Sequence, residues 1–259
     1  MVKFKNYVKA ASLEEAYALN QKKSNVLAGG MMWLKVQNKV KMTLVDLSEL
    51  GLDTIEETEE EFRIGAMCTL RQLELHEGLN QYFQGVMRAC THSIVGVQFR
   101  NGATVGGSVF GRFGFSDIST CLLALNTQVE LYKGGVVTLE EFQNMPYDRD
   151  ILVRIIVKKD GRRAAYLSQR NTKTDFPLIA CCAALKDGMW HVSVGARPSK
   201  ARLVTLKDNG QTEEMAKEAA GCFRFGTNLR GSALYRQHLA EVYIRRLMDQ
   251  IKKGEGDGN

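Results

Sequence analysis

Hydrophobic and polar positions follow two periods along this chain, and the places where the period changes outline its elements. Short, β-branched or alternating stretches, "NVLAGG", "MTLVDLS" and "EFRIGAM", predict strands, the first ending in a Gly pair. "SLEEAYALNQ" opens with Ser12 and carries Glu15 three residues on, a capping-box signal for a helix; Thr69 with Gln72 repeats it before "LRQLELHE". "LNQYFQGVMRAC" has the 3.6-residue spacing of one further helix, and Ser116 and Asp117 are placed to cap "DISTCLLALN". Beyond these come three strand pairs with turn residues between them. They are "QVELYKGGVVTL", "DILVRIIVKKDGRRAAYLSQR" turning at Asp160-Gly161, and "PLIACCAALKDGMWHVSVGA" turning at Asp187-Gly188. The last long pattern starts at Ser232. It places Tyr235, Leu239, Val242, Tyr243, Leu247 and Ile251 on one stripe, and "KKGEGDGN" then reads as a solvated tail.

Strands and helices in this order give an α+β fold, with expected units at 1–55, 56–162 and 163–259. Hydrophobic content of 44% and charged content of 25% are those of a globular chain and exclude a disordered one. No apolar run reaches the ~18 residues of a membrane span, and none follows the lysines of "MVKFKNYVKA", so a cytoplasmic location is expected. The net charge of +6 is spread among 29 acids without a basic stripe carrying aromatics, which argues against a nucleic-acid surface. Six cysteines and four histidines are scattered with no CxxC, HxxxH or HExxH, so no metal site is expected.

The chemistry concentrates in two Gly pairs, "LAGGMMW" at 27–33 and "TVGGS" at 104–108. Glycine admits positive φ and close approach to the backbone. Consecutive amides in such a turn form a concave nest for an anion, and a diphosphate is the natural guest. A plain tight turn explains either pair taken alone, and neither matches GxGxxG or the P-loop.

Taken in order, "VLAGGMMWLKV" and "RNGATVGGSVFGRFGFSDISTCLLAL" resemble the FAD-binding subunit of the molybdenum hydroxylases, the xanthine dehydrogenase and carbon monoxide dehydrogenase group. That family's pattern is an AGGT-like loop, then RN-x-AT-x-GGN, then Ser-Asp at the same spacing before LLAL. The likeness continues through Asp150 to Val157, Arg170 and "LRGSALYRQHLAEVYIRRL", and so covers nearly the whole chain. It implies a two-subdomain FAD cradle of the vanillyl-alcohol-oxidase (PCMH) type, followed by a C-terminal antiparallel sheet with helices. By the same resemblance the first loop, Val26, Leu27, Ala28, Gly29, Gly30, Met31, Met32 and Trp33, meets the FAD pyrophosphate through backbone amides. Thr104, Gly106, Gly107 and Ser108 line the second side of the cofactor. Asp117 hydrogen-bonds toward its ribityl or nucleotide portion, and Ile94 and Leu152 pack on flavin or adenine.

The family carries Thr-Asp where this chain has Met31-Met32, Asn where it has Ser108, and often a lysine near the flavin pyrimidine where it has Tyr166. The resemblance further implies partner subunits with [2Fe-2S] clusters and molybdopterin, and electrons that leave this flavin to NAD or another acceptor. It calls for no catalytic side chain here. Two other readings stay open: a structural subunit that has lost FAD, and a self-contained flavin oxidoreductase.

Overall fold

The computed structural model describes residues 1–254; the predicted tail falls mostly outside them. Among the described residues the backbone forms three sheets. The first is parallel, with β1 (Lys3–Lys9) and β2 (Val26–Ala28) either side of β3 (Val40–Asp46). Helix α1 (Leu13–Asn20) supplies the crossover. Ser12 caps it by accepting from the Glu15 amide, and the Glu15 carboxylate returns to Ala11 N rather than to Ser12.

The second sheet runs β4-β5-β8-β6-β7 and is antiparallel throughout. Its strands are β4 (Ile55–Glu57), β5 (Glu61–Gly65), β6 (Thr127–Leu131), β7 (Gly135–Thr138) and β8 (Leu152–Lys158). Between β5 and β6 lie α2 (Leu70–Leu75), α3 (Glu77–Tyr82), α4 (Val86–Thr91), α5 (Val97–Gly102), α6 (Val105–Phe110) and α7 (Asp117–Ala124). Helix α8 (Leu139–Asn144) follows β7. The predicted single helix over "LNQYFQGVMRAC" is in fact two, α3 and α4. Gln84 at φ 50° and Gly85 at φ 81° break it, because left-handed backbone cannot continue an α-helical ladder.

The third sheet, β12-β11-β10-β9, comprises β9 (Arg163–Gln169), β10 (Ile179–Lys186), β11 (Met189–Gly195) and β12 (Arg202–Lys207). Helices α9 (Thr212–Gly221) and α10 (Ala233–Lys253) cover one face. The Asp187-Gly188 turn is a hairpin as predicted, with φ of 49° and 72°. The Asp160-Gly161 turn is not. There β8 stays in the second sheet and β9 opens the third, so this turn hands the chain from sheet to sheet. Arg162 fixes the crossing: its guanidinium is buried, grips Asp160, and donates to the carbonyl of Ala124 at the end of α7. Helix α10 starts after the Ser232 cap, as predicted, but its buried face is Arg236, Ala240, Ile244, Leu247, Met248 and Ile251. Tyr235 stays half exposed, because Arg236 turns inward to donate to the carbonyls of Leu178 and Ala196.

One hydrophobic core joins the second sheet to the third. It runs from Phe62, Ile64 and Val157 through Leu122 and Cys121 of α7 to Tyr166, Ala180 and Cys182. Helix α7, buried along its whole length, is therefore the common wall of both. Among the described residues, no helix is long and apolar enough to cross a membrane.

Candidate functional site

The two Gly loops meet. A Cβ on Gly30 would land on the carbonyl group of Gly102, 2.6 Å from its carbon, and 2.9 Å from Ala103 Cα. One on Gly106 would sit 2.9 Å from Ala66 Cα. These two glycines let backbone press on backbone, and they hold the loops together. Gly29 and Gly107 differ: a Cβ on either would meet only Thr104 Oγ1, at 3.0 Å, so the Thr104 hydroxyl lies between two open glycines. None of the four has a positive φ. The left-handed residue of the first loop is Met31, at φ 61°. Nor does a full helix follow that loop; only one 3-10 turn, Leu34–Val36, forms.

The amides of the two loops are in opposite states. Thr104 caps α6, and four of the second loop's five amides are already spent. Val105 donates to Cys68 O (2.8 Å), Gly106 to Ala66 O (2.9 Å), Gly107 to Thr104 Oγ1 (3.1 Å) and Ser108 to Thr104 O (3.1 Å). In the first loop, the amides of Gly29, Gly30, Met31, Met32 and Trp33 find no acceptor among the described residues. Unpaired amides in series are what an anion needs.

Two cavities open from this waist and share Leu27, Gly29, Thr104, Gly107 and Phe110. The larger, about 530 Å³, is walled by Ile94, Phe99, Trp33, Phe113, Phe115 and Phe176, with Asp117, Arg170 and Ser108. The smaller, about 340 Å³, takes in Val26, Leu47, Gly106, Asp148 and Leu152. Both are of ligand size, roughly 300–1,000 Å³. Ala28 is buried and faces neither. Trp33 stacks on Phe176 at 5.5 Å and 29°, Phe115 lies 4.3 Å from Phe176, and Phe99 is 5.4 Å from Trp33. Ile94 and Leu152 thus sit in different cavities.

Asp117 is the buried charge of the larger cavity. It is the first residue of α7, after the Ser116 cap. One carboxylate oxygen accepts from Tyr166 Oη and the other from Arg170 Nη2 at 2.8 Å. Burial pushes Asp117 above the usual carboxylate range, and Arg170 and Tyr166 pull it back. Burial, and then Asp117, hold Tyr166 well above its ordinary value, so it remains a neutral phenol. Tyr166 itself lines neither cavity; Asp117 and Arg170 stand in front of it. Arg170 also donates to Ser168 Oγ (3.0 Å) and Ser93 O (3.4 Å), which ties β9 to the loop before α5.

Sequence reasoning missed Phe99, Phe113, Phe115 and Phe176 as walls, and gave Arg170 no role. Phe113 and Phe115 lie inside the "GRFGFSD" stretch and were visible there as a local aromatic cluster. Phe176 had no signal, since only the fold brings it to Trp33.

Residues 2–159 match the family model of the FAD-binding domain in molybdopterin dehydrogenase. Among curated proteins, the uncharacterized protein YgfM of Escherichia coli (strain K12) is 25% identical over 210 residues, 80% of this chain and 79% of that one. The xanthine dehydrogenase FAD-binding subunit of Escherichia coli O157:H7 is 31% identical over 140 residues, 51% of this chain and 47% of that one. Among solved structures, a chain of quinoline 2-oxidoreductase from Pseudomonas putida 86 superposes with a TM-score of 0.84 at 18% identity, covering 97% of each chain. A chain of CO dehydrogenase from Oligotropha carboxidovorans gives 0.84 at 20%, covering 96% of this chain and 98% of that one. At such identities the two structures establish the shared fold.

Proposed function

The chain belongs to the FAD-binding domain family of the molybdopterin dehydrogenases, and we propose that it holds one FAD across both cavities, with the diphosphate at their common waist. The observation that carries this reading is the row of five unpartnered amides, Gly29 to Trp33, set between two cavities of ligand size. The residues present fit the cofactor. Gly29 and Gly107 leave open the space that a Cβ would take, and Thr104 offers its hydroxyl between them. Ile94, Phe99 and Trp33 supply apolar faces for a flat ring, and Leu152 supplies one on the other side. The second loop contributes shape more than amides, because four of its five N–H groups are already taken.

Bound FAD would supply the electron-transfer chemistry. The protein's own part is to bind, orient and exclude water. Arg170 and Asp117 place a fixed charge pair on the wall of the larger cavity, where they are set to influence a guest's electronics. In our reading, partner subunits carrying [2Fe-2S] clusters and molybdopterin deliver the electrons, and NAD or another acceptor removes them. The location would be cytoplasmic. The test is direct: purify the chain, reconstitute with FAD, and record the visible spectrum before and after acid precipitation. A flavin spectrum whose chromophore passes into the supernatant supports non-covalent binding. Absence of flavin after reconstitution overturns the proposal.

That second result would favour a structural subunit that has lost FAD. Two observations lean that way: Met31 and Met32 occupy the first loop, and Trp33 and Phe176 already stack on each other across the larger cavity.

A further inference from the structure

The connection between β11 and β12 packs against the end of α8 and leaves a cavity of about 300 Å³ there. It lies behind the wall of the larger cavity: Ala196 N donates to Gly114 O at 2.7 Å, and a Cβ on Gly114 would touch the Ser199 carbonyl at 2.9 Å. Three cations line it, Arg197, Lys200 and Arg202, with Ser199 between them. Glu140, exposed, is the one carboxylate among the described residues that line it.

The charges are held without being neutralised. Arg197, 7% exposed, donates to the carbonyls of Val194 (3.2 Å), Arg224 (2.8 Å) and Lys200 (2.7 Å). Lys200 donates to Gln143 O at 2.9 Å, and Arg202 reaches Cys222 O at 3.5 Å. None of the three forms an ion pair among the described residues, whereas the buried Arg100, Arg162 and Arg170 each hold a carboxylate. Arg112 and Arg236, which also lack one, line none of these three cavities: the rings of Phe142 and Tyr147 cover the first, and the second, like Arg197, donates to carbonyls. Burial, and then Arg202, pull Arg197 below its ordinary value, the direction expected of a desolvated cation beside a like charge. A negative ligand is what this arrangement lacks, and guanidinium groups suit the oxygens of a phosphate.

We propose that this cavity binds a small oxyanion, a phosphate group, between Arg197, Lys200 and Arg202. The inference does not rest on the FAD reading. It is tested by titrating the full chain with inorganic phosphate, and separately with glycerol phosphate, read by phosphorus NMR at constant ionic strength. Arg202→Gln and Lys200→Gln are compared with an exposed control on α10, Arg246→Gln. Saturable binding is expected, weakened roughly tenfold by either cavity variant, as for one lost charge-assisted hydrogen bond, and unchanged in the control. Both cavity side chains are exposed, so folding is not at stake. Tighter binding of the ester than of the free anion would assign the site to a phosphorylated metabolite, and the reverse to phosphate itself. Absence of saturable binding overturns the proposal. So does binding that survives both cavity variants, which would place the anion on the Gly29–Trp33 amides.

Discussion

Gly30 and Gly107 look interchangeable in the sequence, and alanine at each should separate them. At Gly30 the new Cβ would fall on the backbone of Gly102 and Ala103, which cannot move aside as a side chain would. Overpacking of this kind costs about 1–3 kcal/mol, and a backbone clash belongs at the upper end. For a chain of this size each kcal/mol shifts the melting temperature by about 2–4 °C, so Gly30→Ala should lower it by about 6–12 °C. Gly107 is in the first turn of α6, has no positive φ, and its Cβ would meet only Thr104 Oγ1, at 3.0 Å. Alanine there gains up to about 1 kcal/mol of helix propensity, less whatever the threonine contact costs. Gly107→Ala should therefore melt within a few degrees of wild type, or above it. The same methyl would project into the waist of the two cavities, so FAD affinity should fall by roughly tenfold or more, the size of a modest overpacking cost. Thermal unfolding followed by circular dichroism, with FAD titration of each variant, decides it. Equal destabilisation by both alanines would refute the division into a packing glycine and a ligand glycine. Wild-type FAD affinity in Gly107→Ala would refute the waist.

Glu74 gives a pH prediction. Burial works against its charge, but Arg100 (2.8 Å) and Arg71 (2.9 Å) hold it below the usual carboxylate range. Its stabilisation is complete above the unfolded value of about 4.3 and is lost as the pH falls through the lower folded value; Glu74→Gln should flatten that acid limb of the unfolding curve, and an unchanged limb would count against it. Arg100→Met should cost about 3–5 kcal/mol in denaturant unfolding, because it leaves a buried carboxylate without its main partner. Trp33 lines the larger cavity and Trp190 is buried in the third sheet's core, so FAD should quench the fluorescence of wild type far more than that of Trp33→Phe. Equal quenching in the two would place the flavin elsewhere.

What the sequence determined by itself is local in its physics. Helix caps at Ser12, Thr69, Ser116 and Ser232 were legible because a side-chain oxygen meets an amide three residues on, whatever the rest of the fold does. The Asp187-Gly188 hairpin was legible for the same reason, and the order of the Gly loops carried the family. Tertiary structure decided the rest. Asp160-Gly161 has the same turn chemistry as Asp187-Gly188, yet it leads into another sheet, because Arg162 finds its partner at the end of α7. Which glycine of each pair faces a ligand depends on which backbone presses on the other, Gly102 on Gly30 and Ala66 on Gly106. Likewise Val105 and Gly106 of the second loop gave their amides to Cys68 and Ala66, carbonyls far away in sequence, while the first loop kept its own. Hydrogen-bond acceptors and close approaches between distant segments exist only once the chain has folded, so no local pattern could have recorded them.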